Sequence, residues 1–467
     1  MRSRYLPISF ATLLFLCGCT VGPRHVRPDA RVPGEWIESG ADNGSVPSSG
    51  ISRWWTMFHD PVLDSLVERA VHKNLDARIA GARIREVRSA LGVAAAGGLP
   101  RLDASASSAR GRRSEIDPPA RSKNLFQAGF DSSWEIDVFG GIRRDVEAAK
   151  ADIAAAEESR RDVVVTLLAE VARNYIELRG SRLRIAILKS NLEAQRETLG
   201  LTKVRFDAGL ATELDVARAE TLVATTRARL PALDAEMRQV VHRLGVLLGE
   251  PPGALRSELS ADSPIPLHPP VVPVGLPSEI LRRRPDIRRA ERELESATAR
   301  IGVATAELFP RFSLTGSFGG RSDRLGDLTS GNHRFREFGP SVRWPIFAGG
   351  RIRANIQATT ARQEQALALY EKAVLTSLEE VENALVSYSR ERERRLSLFT
   401  AVTANRRAVE LARSRYSGGL DDFLSVLDAQ RSLYDAEDRL ALSDQSVAEY
   451  VVRLYKALGG GWERSPG

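Results

Sequence analysis

The sequence has almost no cysteine and few aromatic residues. Only Cys17 and Cys19 are cysteines among 467 residues, and both lie near the N-terminus. The rest of the chain therefore contains no disulfide framework and no cysteine metal site. Aromatic residues make up 6% of the chain, whereas 43% is hydrophobic and 27% is charged. That balance, rich in alanine, leucine, arginine and glutamate, favours long helices.

The sequence also lacks a concentrated block of charge of either sign. Its net charge is +7, but lysine and arginine are interspersed with aspartate and glutamate. We therefore expect solvated helix faces and no nucleic-acid partner. No phosphate-binding loop, H-E-x-x-H sequence or nucleophile elbow occurs, and the six histidines are scattered. These absences predict no enzyme activity, no cofactor and no metal site.

No apolar run in the sequence reaches the roughly 18 residues that a membrane helix needs. Residues 1–18 combine two arginines with an apolar run, which predicts a lipoprotein signal peptide. The sequence Leu16-Cys17-Gly18-Cys19 resembles a bacterial lipobox, in which Cys19 would be lipidated and begin the mature chain. Residues 19–60 are then a lipid-anchored N-terminal segment. An ordinary signal peptide with two incidental cysteines is the alternative.

The sequence contains an internal repeat with an offset of 210 residues. Pro100 corresponds to Pro310, Trp134 to Trp344 and Gly209 to Gly419. Such a period predicts two copies of one structural unit. The predicted domains are a first repeat over 61–250, a Pro-rich connector over 251–278 and a second repeat over 279–461.

Four short segments, two in each repeat, alternate polar and apolar residues and predict β-strands. They are residues 101–110, 126–137, 311–319 and 338–346. Their length suits tilted strands that cross a bilayer, although strands of a soluble sandwich look similar. Four strands cannot close a barrel in lipid, so copies of the chain would have to share one. Two copies give eight strands and a filled interior, whereas three give twelve and leave a pore.

Each repeat also predicts very long helices. Residues 61–91 read as a helix, and residues 142–206 carry a heptad seam from Val164 to Phe206. A helix over 142–206 would be roughly 97 Å long at about 1.5 Å per residue. The second repeat has a matching seam that ends at Tyr416, and a further long helix is expected after each turn.

The sequences RFDAGLATELDVARAE (205–220) and RYSGGLDDFLSVLDAQ (415–430) fall at the ends of these long helices. Gly209 and Gly419 stand where a left-handed residue would end a helix. Thr212 would cap the next helix in the first copy, and Asp421 or Asp422 would do so in the second. Both stretches are therefore predicted to be tips of helical hairpins, and a purely structural turn is the simplest alternative.

Asp428 and Leu424 lie in the helix after the second tip, where capping no longer needs them. With threefold symmetry, three Asp428 carboxylates would form a ring that attracts cations, and Leu424 one turn earlier would form an apolar ring. A solvated surface acid is the alternative for Asp428.

These features resemble the outer-membrane factor lipoproteins of resistance-nodulation-division efflux systems, of the NodT or OprM type and related to TolC. The similarity lies in LPSEILRRRPDIRRAE (276–291), the strand exits WEIDVFGG (134–141) and WPIFAGGRIR (344–353), and the hairpin 415–433. It covers essentially the whole mature chain.

The resemblance implies an α+β membrane protein with a duplicated helix-strand-strand-helical hairpin unit. A homotrimer would form a 12-stranded transmembrane β-barrel that continues as a 12-helix periplasmic α-barrel, closed at its tip. Carried over by position, Leu424 and Asp428 resemble the constriction rings, and Tyr416 resembles a tyrosine that holds the tip closed. Related channels have a basic residue near Asp421, so the closing links differ here. Arg218 occupies the position of Asp428 in the first copy and is our candidate inter-helix partner.

The predicted function is therefore a passive outer-membrane exit duct with a gated periplasmic tip. Its expected partners are a periplasmic adaptor, an inner-membrane resistance-nodulation-division transporter and outer-membrane lipid. A TolC-like type I protein secretion channel is the first alternative. A periplasmic coiled-coil scaffold is the second, and the four alternating segments oppose it. Copper or silver export is weakly disfavoured, because the mature chain keeps only Met57 and Met237.

Overall fold

The structure, a computed structural model, describes residues 20–30, 32–38, 49–111, 123–261, 264–266 and 275–464. The predicted signal peptide, Cys19 and parts of the connector lie outside these ranges. In chain order the main elements are α1 Pro61–Lys73, α2 Leu75–Ala96, β1 Arg101–Gly111, β2 Lys123–Ile136, α3 Gly141–Asp207, α4 Glu213–Ala228, α5 Leu230–Leu247, α6 Pro277–Arg283, α7 Pro285–Ala306, β3 Arg311–Ser322, β4 Arg334–Arg343, α8 Arg351–Ser417 and α9 Phe423–Ala457. None of the described helices has the length and apolar character of a membrane-spanning helix.

The chain divides into two compact units. One comprises residues up to Asp29, Ala82–Glu157 and Arg289–Lys372, and it contains the β-sheet. The other comprises Ala30–Gly81, Glu158–Arg288 and Ala373–Gly467, and it contains both hairpin tips. Helices α2, α3, α7 and α8 contribute a segment to each unit.

The sheet is antiparallel and has the strand order β1-β2-β3-β4. Because partners across a ladder point to the same face, the register collects the large apolar side chains on one face. Phe130 faces Phe318, and Trp134 faces Leu314. Phe130 and Phe318 are both more than half exposed. The four-stranded sheet therefore presents an uncovered apolar face.

All four predicted strands are present, but the last one ends earlier than predicted. The alternation predicted a strand over 338–346, whereas β4 ends at Arg343. The reason is its partner: β3 begins at Arg311, which already pairs with Arg343. No residue of β3 remains to pair with 344–346, so the alternating sequence continues beyond the ladder.

The predicted long helix over 142–206 is confirmed as α3, which has 67 residues, and α8 has the same length. The heptad seam of α3 is buried at Val164, Leu168, Val171 and further residues up to Leu192. At its last predicted position, Phe206 is 43% exposed within the chain. In the second repeat the corresponding residue, Tyr416, is 4% exposed, so the two seams end differently.

Two predicted helices are interrupted. The helix expected over 61–91 is broken at Asn74, whose side-chain oxygen accepts a hydrogen bond from Ala77 N at 3.0 Å and so caps α2. Its amide donates to Leu247 O at 2.9 Å, which holds the break in the core. The helix after Thr212 is divided between α4 and α5 near Pro231. Proline has no N–H to continue the helical hydrogen bonds.

Aromatic residues form the core of the second unit away from the tips. Trp54 stacks on Tyr455 with ring centroids 5.6 Å apart. Tyr175 donates from its hydroxyl to Asp60 Oδ2 at 2.5 Å, while Asp60 Oδ1 also accepts from Val62 N and caps α1. Burial, followed by the hydrogen bond to Asp60, raises the pKa of Tyr175, so its hydroxyl stays protonated.

Candidate functional site

The two hairpin tips share one turn geometry. Gly209 has φ +75° and Gly419 has φ +71°, a region that glycine enters without strain. Leu210 N donates to Arg205 O at 2.7 Å, and Leu420 N donates to Arg415 O at 2.9 Å. Both helices therefore end in the same glycine-dependent motif. The two copies of the repeated sequence therefore fold into the same turn.

The helix caps after the two turns differ. Thr212 forms the predicted capping box, in which Asp215 N donates to Thr212 Oγ1 at 3.3 Å and Thr212 N donates to Asp215 Oδ2 at 3.0 Å. In the second tip Asp422 is the cap of α9 and accepts from Ser425 N at 3.1 Å. Of the two predicted candidates, therefore, Asp422 and not Asp421 caps the helix.

Asp421 instead ties the second turn together. Its carboxylate accepts hydrogen bonds from Asp422 N at 3.0 Å and Ser425 Oγ at 3.1 Å, and it pairs with Arg415 Nε at 3.3 Å. These contacts, the backbone hydrogen bond first, lower the pKa of Asp421. Asp421 thus remains ionised and binds Arg415 of its own turn.

Apolar residues of α4, α8 and α9 form what we call the tip cluster. Its members are Ala219, Leu222, Tyr416, Phe423, Val426 and Leu427. Tyr416 meets Phe423 edge to face, with ring centroids 5.7 Å apart. Its hydroxyl is buried and has no hydrogen-bond partner among the described residues. A buried hydroxyl without a hydrogen bond is destabilising, so the hydroxyl does not hold Tyr416 in place. The contacts of the Tyr416 ring do.

Arg205 fixes the tip cluster from the first repeat. Its guanidinium carbon lies 4.7 Å from the centroid of the Tyr416 ring. Its Nη1 donates to Tyr416 O at 3.0 Å and to Ser417 O at 3.3 Å. One arginine of α3 therefore binds the end of α8 through a ring and two carbonyls.

Sequence reasoning assigned no role to Arg205. The available signal was the arginine that precedes an aromatic residue in both copies, at 205–206 and 415–416. The repeat did not reveal that the two arginines act differently. Arg205 reaches the other hairpin, whereas Arg415 binds Asp421 in its own turn.

The predicted gate residues Leu424 and Asp428 lie on a different face of α9 from its packed residues. Phe423, Val426 and Leu427 are buried in the tip cluster, whereas Leu424 is 42% exposed and Asp428 is exposed. A spacing of four residues places Leu424 and Asp428 on the same helix face. This face of α9 is available for contacts beyond the chain.

Arg218, the candidate partner of Asp428, is half-buried. Within the described part of the chain, neither residue takes part in an ion pair. The pairing of Arg218 with Asp428 stays a prediction.

The residues just after Cys19 are bound tightly in the sheet-containing unit. Val21 N donates to Phe139 O at 3.1 Å. Arg144, which is 3% exposed, donates to Val21 O at 3.0 Å and to Gly22 O at 3.2 Å. Val21 and Gly22 are therefore held close to the connection between β2 and α3, whereas Cys19 lies outside the described residues.

The arginine-rich segment 276–291 serves a structural role. Arg284 is largely buried, donates to Ala457 O at 2.8 Å and forms ion pairs with Asp286 at 2.6 Å and Glu380 at 2.7 Å. Burial opposes its charged form, but Asp286 and Glu380 together raise the pKa of Arg284. The segment thus binds α8 and the end of α9.

The sequence matches the outer membrane efflux protein family over residues 66–250 and 276–460. Nodulation protein T of Rhizobium leguminosarum bv. trifolii is 36% identical over 456 residues, which cover 96% of each chain. Pyoverdine export outer membrane protein OpmQ of Pseudomonas aeruginosa is 35% identical over 98% of this chain and 96% of that one. Among solved structures, the outer-membrane channel OprN superposes with a TM-score of 0.88 at 39% identity, covering 95% of this chain and 100% of that one.

The fold and its sheet define a mostly helical channel component with four strands. The chain belongs to the outer membrane efflux protein family. That family consists of channels rather than enzymes, and its members are located in the outer membrane of Gram-negative bacteria. The predicted family and the predicted outer-membrane location are confirmed.

Proposed function

We propose that the protein is the outer-membrane exit duct of a tripartite efflux pump and passes small molecules from the periplasm to the exterior. The single observation that carries this proposal is the open four-stranded sheet with an exposed apolar face. Phe130, Phe318 and Phe338 are each more than half exposed on it. A face of this kind suits contact with lipid hydrocarbon.

The duct is a homotrimer. Strands β1 and β4 are the two edges of the sheet, and their outer hydrogen-bonding groups have no partner in the four-stranded ladder. An open edge is not tolerated within a bilayer, so closure needs further strands. Three copies supply twelve strands for a barrel with a pore. The paired long helices α3 and α8 then supply the walls of a periplasmic tunnel.

The tip closes the tunnel at rest. Leu424 and Asp428 face the threefold axis and form an apolar ring and an acidic ring. Their exposure on a helix whose other face is packed supports this role. Tyr416 and Arg205 hold α8 and α9 against the first hairpin in the closed state. Opening moves α8 and α9 outward and breaks the contacts of Arg205.

The expected partners follow from this role. A periplasmic adaptor and an inner-membrane resistance-nodulation-division transporter supply recognition and energy. Lipid attached to Cys19 anchors the N-terminus to the outer membrane. The export function named for OpmQ and the family match support small molecules rather than secreted proteins as cargo.

A complementation assay tests this function. The gene is expressed with its neighbouring adaptor and transporter genes in a Gram-negative host that lacks its own exit duct. We expect ethidium accumulation to fall and to return when the transporter is inactivated. Unchanged accumulation of ethidium and of a panel of other pump substrates, with the trimer present in the outer membrane, would contradict the proposal. Release of a protein substrate instead would favour the secretion channel.

A further inference from the structure

The two edges of the sheet carry exposed apolar side chains that continue its apolar face. Leu102 on β1 is 68% exposed, and Val342 on β4 is 58% exposed. Trp344 and Ile346, just beyond β4, are 57% and 87% exposed. Edges of this kind pair readily with another strand. In a trimer, each of these two edge strands would face an edge strand of another copy.

The internal duplication is preserved in the register of the sheet. Arg101 pairs with Ser133 in the first repeat, and Arg311 pairs with Arg343 in the second. Both partners are shifted by 210, since 311 − 101 = 210 and 343 − 133 = 210. The hairpin of the second repeat therefore has the same pairing as that of the first.

The same offset holds for the side chains at the ends of the strands. Trp134 Nε1 donates to Gly98 O at 2.9 Å, and Trp344 Nε1 donates to Leu308 O at 3.0 Å. Here too 344 − 134 = 210 and 308 − 98 = 210. The Trp344 indole thus makes the same hydrogen bond as the Trp134 indole. The backbone turn comes two residues earlier in the second copy, where Ile346 N donates to Trp344 O at 3.0 Å, whereas Val138 N donates to Ile136 O at 2.8 Å in the first.

We propose that β4 of one copy pairs with β1 of the next copy in the register that β2 and β3 have within the chain. This inference rests on the trimer proposed above. Within the chain Ile136 faces Phe312. Strand β4 is the copy of β2 in the second repeat, and β1 is the copy of β3 in the first repeat. Adding 210 to Ile136 and subtracting 210 from Phe312 therefore places Ile346 opposite Leu102. The same operation places Val342 opposite Ala106 and Ser341 opposite Ser107.

The chemistry of the facing residues fits this register. Ile346 and Leu102 are both exposed and apolar, and apolar side chains directly opposite each other stabilise a pair of strands. Val342 and Ala106 join them on the apolar face, whereas Ser341 and Ser107 meet on the polar face. A slip of one residue would place Val342 against Ser107 and mix the faces. A slip of two residues leaves apolar residues opposite apolar ones. The choice among registers that differ by two residues therefore rests on the internal repeat alone.

The proposed pairing also explains why the alternating sequence continues beyond the end of β4. The sequence alternates through Ile346, but the ladder within the chain stops at Arg343 because β3 begins at Arg311. Residues Leu102–Ala104 of the next copy would face residues 344–346. Pro345 lacks an N–H, and Ile346 N already donates to Trp344 O at 3.0 Å, so the ladder is strongest from Val342 toward Phe338.

Cysteine crosslinking of the full chain tests the register. Directly opposite residues have Cα atoms about 4.5–5.5 Å apart, which suits a disulfide. The test variant combines Ser107→Cys with Ser341→Cys. Two matched controls combine Ser341→Cys with Ser105→Cys, a slip of two, or with Ser108→Cys, on the opposite face. Ser313→Cys with Ser341→Cys is the positive control, because these residues pair within the chain.

After mild oxidation in membranes, samples are denatured without reductant and separated by mass. We expect the 107/341 variant to shift from monomer to a band of three times the monomer mass. The 105/341 and 108/341 variants should stay monomeric, as should the internal 313/341 variant. Wild-type chain oxidised in parallel accounts for any native cysteine that the mature chain keeps.

Other outcomes separate this inference from the proposed function. Crosslinking through 105/341, or no intermolecular crosslink in a protein that migrates as a trimer before heating, would overturn the register and leave the trimer standing. A protein that is monomeric before heating and forms no intermolecular crosslink would overturn both the register and the trimeric duct.

Discussion

Arg205 provides the sharpest test of how the tip is held closed. Replacing it by methionine, Arg205→Met, keeps the length and apolar part of the side chain but removes the guanidinium. The lost contacts are the ring of Tyr416 at 4.7 Å and the carbonyl groups of Tyr416 at 3.0 Å and Ser417 at 3.3 Å. These are contacts between the two hairpins.

The magnitude follows from those contacts. A hydrogen bond from a charged donor contributes about 1.5–3 kcal/mol, and a cation–π contact contributes about 0.5–2 kcal/mol. Both carbonyls share one nitrogen, and Arg205 is only half-buried, so we take the low end. A loss of about 2 kcal/mol changes the ratio of closed to open tips about thirtyfold.

Resting conductance in planar bilayers measures this ratio. Lys203→Met is the matched control, because Lys203 lies on the same helix and forms an exposed ion pair with Glu220 at 2.7 Å. Such pairs contribute about 1 kcal/mol or less, so the control should change the ratio by less than about fivefold. If Arg205→Met trimers conduct at rest like wild type, Arg205 does not hold the closed tip.

Asp428→Ala should raise resting conductance or weaken block by divalent cations, and an unchanged response would exclude the acidic ring. Cys19→Ser should abolish labelling with radioactive palmitate, so persistent labelling would place the lipid elsewhere. Thr212→Ala and Asp422→Ala should each cost about 1 kcal/mol and speed amide exchange in the first turn of their own helix; equal exchange would show that the caps do not matter. Because the folded-state pKa of Asp421 is lowered, its stabilising contacts are complete above about pH 4 and are lost as the pH falls through the lower folded value. The protection of amides in the second turn, relative to their exchange in an unstructured chain at the same pH, should therefore fall in acid, and Asp421→Asn should show the lowered protection already at pH 7.

The sequence was most informative where the structure is periodic. The strands and α3 were predicted because alternation and heptads state which face is buried. The break at Asn74 depends in part on a residue far away in sequence, because the Asn74 amide donates to Leu247 O. Pro231 carried a readable local signal, since proline cannot continue helical hydrogen bonding.

The tip shows a similar division. Gly209, Gly419 and Thr212 act within a few residues of themselves, so their positions in the sequence were enough. The roles of Arg205 and Asp421 depend on which of several nearby groups each side chain reaches. The repeat makes Arg205 and Arg415 look equivalent in the sequence. In the fold, Arg205 contacts the other hairpin, whereas Arg415 binds Asp421 in its own turn.

Single-channel recording of the purified protein in planar bilayers tests the proposed duct most directly. An exit duct predicts heat-sensitive trimers that insert and give discrete conductance steps, with low resting conductance that rises in Arg205→Met. Trimers that insert into the bilayer but carry no current, in wild type and in Arg205→Met alike, would contradict a continuous duct through the membrane.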